Sequence, residues 1–235
     1  MNKSELYIVI LAGGVGNRFQ GKVPKQFSEL AGKPLLMHTL DVFNSCPLEL
    51  KVILVLEEEY VSIWQKMVEH YNFSVPHTVV VGGEERFHSA KNALDIIPDN
   101  DHVLVGIHDG VRPFVSQEVI LEAYAKAEEY GAVVPAVSTI NPIRLYKDER
   151  SESLDLYYDR SNIHIVQTPQ VFKYRILREA FDQGYHATFR DDSVPVENLG
   201  HPIHVIEGNR ENIKITFPLD LAFAEVIYPM MFNKD

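Results

Sequence analysis

Arg18 and Lys25 sit within a dozen residues of a glycine-rich stretch, Leu11-Ala12-Gly13-Gly14-Val15-Gly16-Asn17. The stretch follows an apolar run, 6–11, that reads as a buried strand, and Pro24-Lys25-Gln26 closes the segment. A strand ending in a glycine-rich turn exposes consecutive backbone N–H groups, which cradle phosphate oxygens. The Arg and Lys add the positive charge that a triphosphate needs. Two better-known glycine loops fail here. Gly16-x-x-x-x-Gly21-Lys22 approaches a P-loop, but Val23 replaces the Mg²⁺-binding Ser or Thr and Pro24 opposes a helix running on from Lys22. Gly14-x-Gly16 lacks the third glycine of the dinucleotide fingerprint, because Phe19 stands in its place.

Other polar groups cluster at the ends of apolar runs. Gly82-Gly83-Glu84-Glu85-Arg86 follows one run and opens a helical stretch, with Ser89 one turn on. The glycines allow a flat ligand to approach the backbone, and Glu85 fits a helix N-terminus; an ordinary strand–turn–helix reads the same way. His108-Asp109-Gly110-Val111-Arg112-Pro113 ends another run. Asp109 there is a candidate Mg²⁺ ligand or ribose contact, Arg112 is expected to pair with a carboxylate, and His108 to be a packed histidine. Arg160 and Lys214 flank apolar runs expected to pack inward, and a cleft-lining cation needs an anion, either a phosphorylated substrate or a structural carboxylate.

These segments must be positioned by a regular scaffold. Runs at 6–11, 51–56, 79–81, 103–107 and 132–136 read as strands. Helical patterns cover 34–44, 58–71, 85–97 and 116–130; Ser116 and Gly131 cap the last. This alternation predicts an α/β fold, a mostly parallel sheet with helices on both faces. Ligands collect at the carboxyl ends of such strands, where the glycine loop, Gly82-Gly83 and His108-Asp109 all fall. The alternation breaks over 139–162. There the polar segment 147–153 reads as a turn between two hairpin arms, 143–146 and 154–158. The apolar residues of this protruding β-arm need cover, from a partner subunit or from their own domain.

Composition narrows the function classes. The chain has 235 residues, 46% of them hydrophobic, with no linker-like or low-complexity run, so one domain over 1–235 is expected. A net charge of −11 argues against general nucleic-acid binding. Cys46 is the single cysteine, so no intrachain disulfide and no Cys-based metal site can form. Neither a signal peptide nor a membrane-spanning apolar stretch is visible, and the expectation is a cytoplasmic protein.

Taken together, Leu-Ala-Gly-Gly-Val-Gly-Asn-Arg…Pro-Lys-Gln, Gly-Gly-Glu-Glu-Arg, His-Asp-Gly-Val-Arg-Pro, Asp-Arg-Ser-Asn…Gln-Thr-Pro-Gln and Asn-Ile-Lys-Ile-Thr occur in order across nearly the whole chain. In this the sequence resembles the 2-C-methyl-D-erythritol 4-phosphate cytidylyltransferase family of the non-mevalonate isoprenoid pathway. The resemblance implies a Rossmann-like nucleotidyltransferase fold, a homodimer whose arms exchange, and Mg²⁺-dependent transfer of CMP from CTP to a polyol phosphate. It implies that Arg18 and Lys25 stabilise charge on the triphosphate. Ala12, Gly13, Gly14, Gly82, Gly83, Glu84, Ser89 and Gly110 would line the cytidine pocket, and Asp109 would lie near metal and ribose. Thr139, Arg160, Thr168 and Lys214 would hold the acceptor, with Arg160 and Lys214 presenting its phosphate.

The chain departs from the family pattern in three places. Asn141 stands where Lys is usual, Glu84 where Asp is usual, and Gly110-Val111 where two alanines are common. Two other readings stand beside the first: a ribitol-5-phosphate cytidylyltransferase, which shares the donor half, and a non-catalytic nucleotide-binding protein on the same fold.

Overall fold

In the computed structural model, which describes residues 4–14, 24–147 and 150–232, the predicted alternation runs from the first strand to the seventh. The elements are β1 (Glu5–Leu11), β2 (Glu29–Leu30), β3 (Lys33–Pro34), α1 (Leu35–Asn44), β4 (Leu50–Leu56), α2 (Glu58–His70), β5 (Thr78–Val81), α3 (Arg86–Leu94), β6 (Val103–Asp109), α4 (Gln117–Tyr130) and β7 (Ala132–Ser138). After them come β8 (Arg144–Lys147), β9 (Arg150–Ser153), β10 (His164–Val166), β11 (Gln170–Lys173), α5 (Tyr174–Asp182), α6 (Val194–Asn198), β12 (His204–Glu207) and α7 (Pro218–Phe232). Arg18 and the near-P-loop segment 16–22 lie outside the described residues.

Eight strands form one sheet. β5, β4, β1 and β6 are mutually parallel neighbours in that order, and β12 pairs in parallel with β7. β11 enters between β6 and β7, antiparallel to both. Val133 pairs with Val171 on one side and His204 on the other, while Ala136 pairs with Val166 and Glu207. β10 and β11 therefore lie on the same side of β7, opposite β12.

Strand alternation sends successive side chains to opposite faces. Ile8 and Ile10 join one core with Leu36, Leu40, Trp64 and Ile120, under α1, α2 and α4. Tyr7 and Val9 join the other with Phe87, Leu177, Phe181 and Val196, under α3, α5 and α6. Helices thus cover both faces, as expected. Ser116 caps α4 by accepting from Val119 N–H, and Gly131 ends it in the left-handed region at φ +89°.

The arm differs from its expected register. β8 and β9 pair with Arg144 opposite Ser153 and Lys147 opposite Arg150. Residues 150–153, expected in the turn, are a strand, and Leu154–Leu156, expected in the second arm, is a 3-10 turn. The described side chains of this hairpin, Leu145 and Tyr146 included, are exposed apart from half-buried Ser153. Polarity there signalled exposure rather than a turn.

Candidate active site

The carboxyl ends of β1, β4, β5 and β6 surround a cavity of about 300 Å³. Ala12, Gly13 and Gly14 form one wall, Gly83 to Arg86 and Ser89 another, with Asp109, Val111, Lys25, Gln26, Glu57 and Lys214 completing it. The three segments expected to converge do so. Each strand tip is tied to its neighbour: Ala12 N–H donates to Val55 O (2.9 Å), Gly82 N–H to Leu56 O (2.8 Å) and Gly110 N–H to Leu11 O (2.9 Å). Buried Gln26 donates through Nε2 to Ala12 O (3.0 Å). Next to it Phe27 packs on Tyr60 and Trp64 of α2. Lys25 is thereby carried on a turn anchored to both the glycine wall and the core.

The glycines of the second wall serve helix packing as well as ligand access. A Cβ on Gly83 would sit 2.5 Å from His88 Cβ, and one on Gly82 would be 3.0 Å from Ser89 Oγ. Any side chain at Gly83 would displace the first turn of α3. Gly83 N–H in turn donates to Ser89 Oγ (3.1 Å). Gly82 and Gly110 do not line the cavity. Gly110 is a buried packing position, where a Cβ would meet Ala12 Cβ at 3.0 Å and Leu36 Cδ1 at 3.1 Å.

Asp109 is the electrostatic centre. Its Oδ1 accepts from Arg86 (2.6 Å), and its Oδ2 faces Arg112 Nε (3.0 Å) and Lys214 Nζ (3.1 Å). Arg86 also forks onto Asp192, with Nη2 to Oδ2 at 2.6 Å and Nε 3.2 Å from both oxygens. Burial alone would raise the Asp109 pKa, but Arg86, Lys214 and Arg112 together hold it well below the usual carboxylate range. Burial raises that of Asp192 despite Arg86. Arg112 meets a carboxylate, as expected, and its Nη1 donates to Asn212 O (2.7 Å).

His108 is fully buried, as a packed histidine should be. Burial lowers its pKa to about 4. Its Nε2 bonds to Arg112 O (2.9 Å) and its Nδ1 to Thr168 Oγ1 (3.0 Å). Thr168 Oγ1 also accepts from Asp109 N–H (3.1 Å), and Thr168 O accepts from Asn212 Nδ2 (2.8 Å). Thr168 is itself buried and outside the cavity lining, so in this chain it braces Asp109.

Of the expected acceptor residues, Lys214 lines the cavity. Thr139 is half-buried at the end of β7, and its Oγ1 donates to Asn141 O (3.3 Å). Arg160 lies on the arm, 42% exposed and ion-paired with Asp155 at 2.8 Å. The expectation that its neighbours pack inward does not hold within one chain, because Leu156, Tyr157 and Tyr158 are all more than half exposed. Arg144, the nearest cation to the Asn141 departure in sequence, bonds across the hairpin to Ser151.

Sequence reasoning assigned no role to Arg86, Asp192, Gln26 or Asn212. Arg86 had a signal, since it follows two glutamates at a strand-to-helix turn. Asp192 lies in a polar run, and only the fold carries it to Arg86.

No group of three or more His, Cys, Asp or Glu that could cage an ion occurs among the described residues. Asp109 is a single buried carboxylate beside cations. A Mg²⁺ ion carried by substrate phosphates and water would need only one such carboxylate, whereas an ion caged by protein needs several.

Comparisons with known proteins identify the family and the fold. The family model of 2-C-methyl-D-erythritol 4-phosphate cytidylyltransferase matches residues 6–229. A protein of that name from Bacteroides thetaiotaomicron is 45% identical over 220 residues, covering 94% of this chain and 98% of that one. One from Porphyromonas gingivalis is 44% identical over 226 residues, covering 96% and 98%. The crystal structure of the Francisella tularensis cytidylyltransferase superposes with a TM-score of 0.79 at 31% identity, covering 95% of this chain and 99% of that one.

Proposed function

The chain belongs to the 2-C-methyl-D-erythritol 4-phosphate cytidylyltransferase family, and from that footing we infer how its cavity carries out cytidylyl transfer. The enzyme transfers CMP from CTP to 2-C-methyl-D-erythritol 4-phosphate, giving 4-diphosphocytidyl-2-C-methyl-D-erythritol and pyrophosphate. A phosphate oxygen of the acceptor attacks the α-phosphorus of CTP. One P–O bond forms there, and the bond from the α-phosphorus to the oxygen bridging to the β-phosphorus breaks. That electron pair leaves with pyrophosphate.

The nucleophile is already an anion, so the step needs no general base. His108 is in no position to act as one, being buried, neutral and bonded at both ring nitrogens. Catalysis is then positioning and electrostatic stabilisation.

The observation that supports this reading most is the polarity of the cavity. Glu57, Glu84 and Glu85 come from the tips of β4 and β5, while Asp109 and Lys214 stand at the β6 side, with Arg86 of α3 neutralised between Asp109 and Asp192. Such a cavity accepts a ligand with an amine-bearing base at one end and phosphates at the other. Lys25 and Arg18 meet the charge that grows on the triphosphate, and Lys214 the phosphate between the two substrates. Asp109 is the cavity carboxylate that would face Mg²⁺ carried by the substrate phosphates, and such an ion would supply charge neutralisation there.

Arg160 belongs to the acceptor site of a partner subunit. The arm's exposed Leu145, Tyr146, Leu156, Tyr157 and Tyr158 are the surface through which a homodimer forms and the arms exchange. Thr139, at the end of β7, stands toward the acceptor side, and Thr168 acts there only through Asp109, whose backbone it braces. The enzyme works in the cytoplasm; among the described residues no helix is long and apolar enough to cross a membrane. Pyrophosphate release from CTP and methylerythritol phosphate tests the reading, and CTP with that acceptor giving none would overturn it.

A further inference from the structure

We propose that Glu57 is a specificity-determining residue whose carboxylate receives the exocyclic amine of cytosine and so selects CTP over UTP. This rests on the donor being a cytidine nucleotide, as argued above. Glu57 follows β4 directly, and β4 lies between β1 and β5. It therefore stands between the Gly13-Gly14 wall and the Gly83 wall and lines the cavity with them. Its Oε1 is 3.1 Å from where a Cβ on Gly13 would be, so the carboxylate lies over that backbone inside the cavity.

Two further observations point to a ligand. Glu57 is half-buried, yet among the described residues its carboxylate has no hydrogen bond or ion pair. A partly desolvated carboxylate is costly without a donor. Second, Lys214 and Asp109 lie across β1 at the β6 side, so phosphates drawn there leave the base at the β4–β5 side.

A carboxylate only accepts hydrogen bonds. Cytosine presents an NH₂ donor at its 4-position, and uracil presents a carbonyl acceptor there. Glu57 thus gains a charge-assisted bond from CTP and opposes UTP with lone pair against lone pair. An unpaired buried polar contact of this kind discriminates far more strongly than shape alone.

The test compares kcat/KM for CTP, UTP and dCTP, with methylerythritol phosphate as acceptor, in wild type, Glu57→Gln and Glu57→Ala. The CTP:UTP ratio is expected to fall by about 10- to 100-fold in both variants, while the CTP:dCTP ratio stays constant. If turnover is too low to read in a variant, nucleotide Kd values without acceptor give the same ratios. An unchanged CTP:UTP ratio would overturn the assignment. A shift in CTP:dCTP alone would overturn it too, by placing Glu57 on the ribose. Wild type that ignores CTP would fail the cytidylyl reading itself, an outcome distinct from an active variant with unaltered selectivity.

Discussion

Lys214 Nζ stands 3.1 Å from Asp109 Oδ2, and this pair fixes one of the three cations that line the cavity among the described residues. Asp109 is nearly buried and also holds Arg86 and Arg112. Asp109→Asn keeps the shape but leaves the two largely buried guanidiniums without their shared anion. Breaking such a buried pair costs about 3–5 kcal/mol. Urea denaturation should show a loss of that order, accompanied by a fall in kcat as Lys214 loses its anchor. Unaltered stability would mean that Asp192 alone suffices for Arg86.

Lys25→Ala should lower kcat by about 100- to 1,000-fold, the usual effect of losing a donor that meets transition-state charge. The melting temperature should fall little, because Gln26 and Phe27 dock the turn to the glycine wall and the core. A mutant with near-normal kcat removes Lys25 from the mechanism.

Acid should weaken the fold through His108. Burial lowers its pKa from 6.5 to about 4, so the folded state favours the neutral ring. The stability this contributes is fully present above the unfolded value. It is lost as pH falls from about 6.5 through about 4, to a total on the order of 3 kcal/mol. Unfolding free energies at pH 7 and pH 4.5 should converge between wild type and His108→Gln as the pH drops. Parallel pH slopes in the two proteins would contradict this account of the ring.

Arg160→Lys should raise KM for the acceptor and lower kcat while leaving CTP binding nearly untouched. Arg presents a planar, forked donor set that Lys lacks, and small misplacements of the attacking oxygen are costly. Sedimentation should find a dimer at micromolar concentration, with the arm's exposed tyrosines protected from solvent. If the substitution instead weakened CTP and spared the acceptor, the two halves of the site would be reversed.

How far the site could be read beforehand depended on where its residues lie in the chain. Gly13 and Asp109 lie at strand ends in the parallel half, and Ser89 in the first turn of the helix that follows another, where apolar runs locate each strand tip. Lys214 was recognisable through the motif around it, and the fold then brings it 105 positions back along the chain to Asp109. The pairing of Arg86 with Asp192 spans 106 positions and left no local trace. β11 was missed for a related reason. Its four residues, Gln-Val-Phe-Lys, are too few to show a period, yet Val171 and Phe172 enter opposite cores. The arm misled because its second strand, 150–153, is wholly polar. Its polar strand then looked like a turn.

The most direct test of the central claim is to identify the product formed from CTP with methylerythritol phosphate and, separately, with ribitol phosphate. Phosphorus NMR distinguishes the diphosphodiester product from both reactants. The account predicts 4-diphosphocytidyl-2-C-methyl-D-erythritol with one equivalent of pyrophosphate, and turnover of methylerythritol phosphate well above that of ribitol phosphate. Faster cytidylylation of ribitol phosphate, or CTP bound with no product from either acceptor, would contradict it.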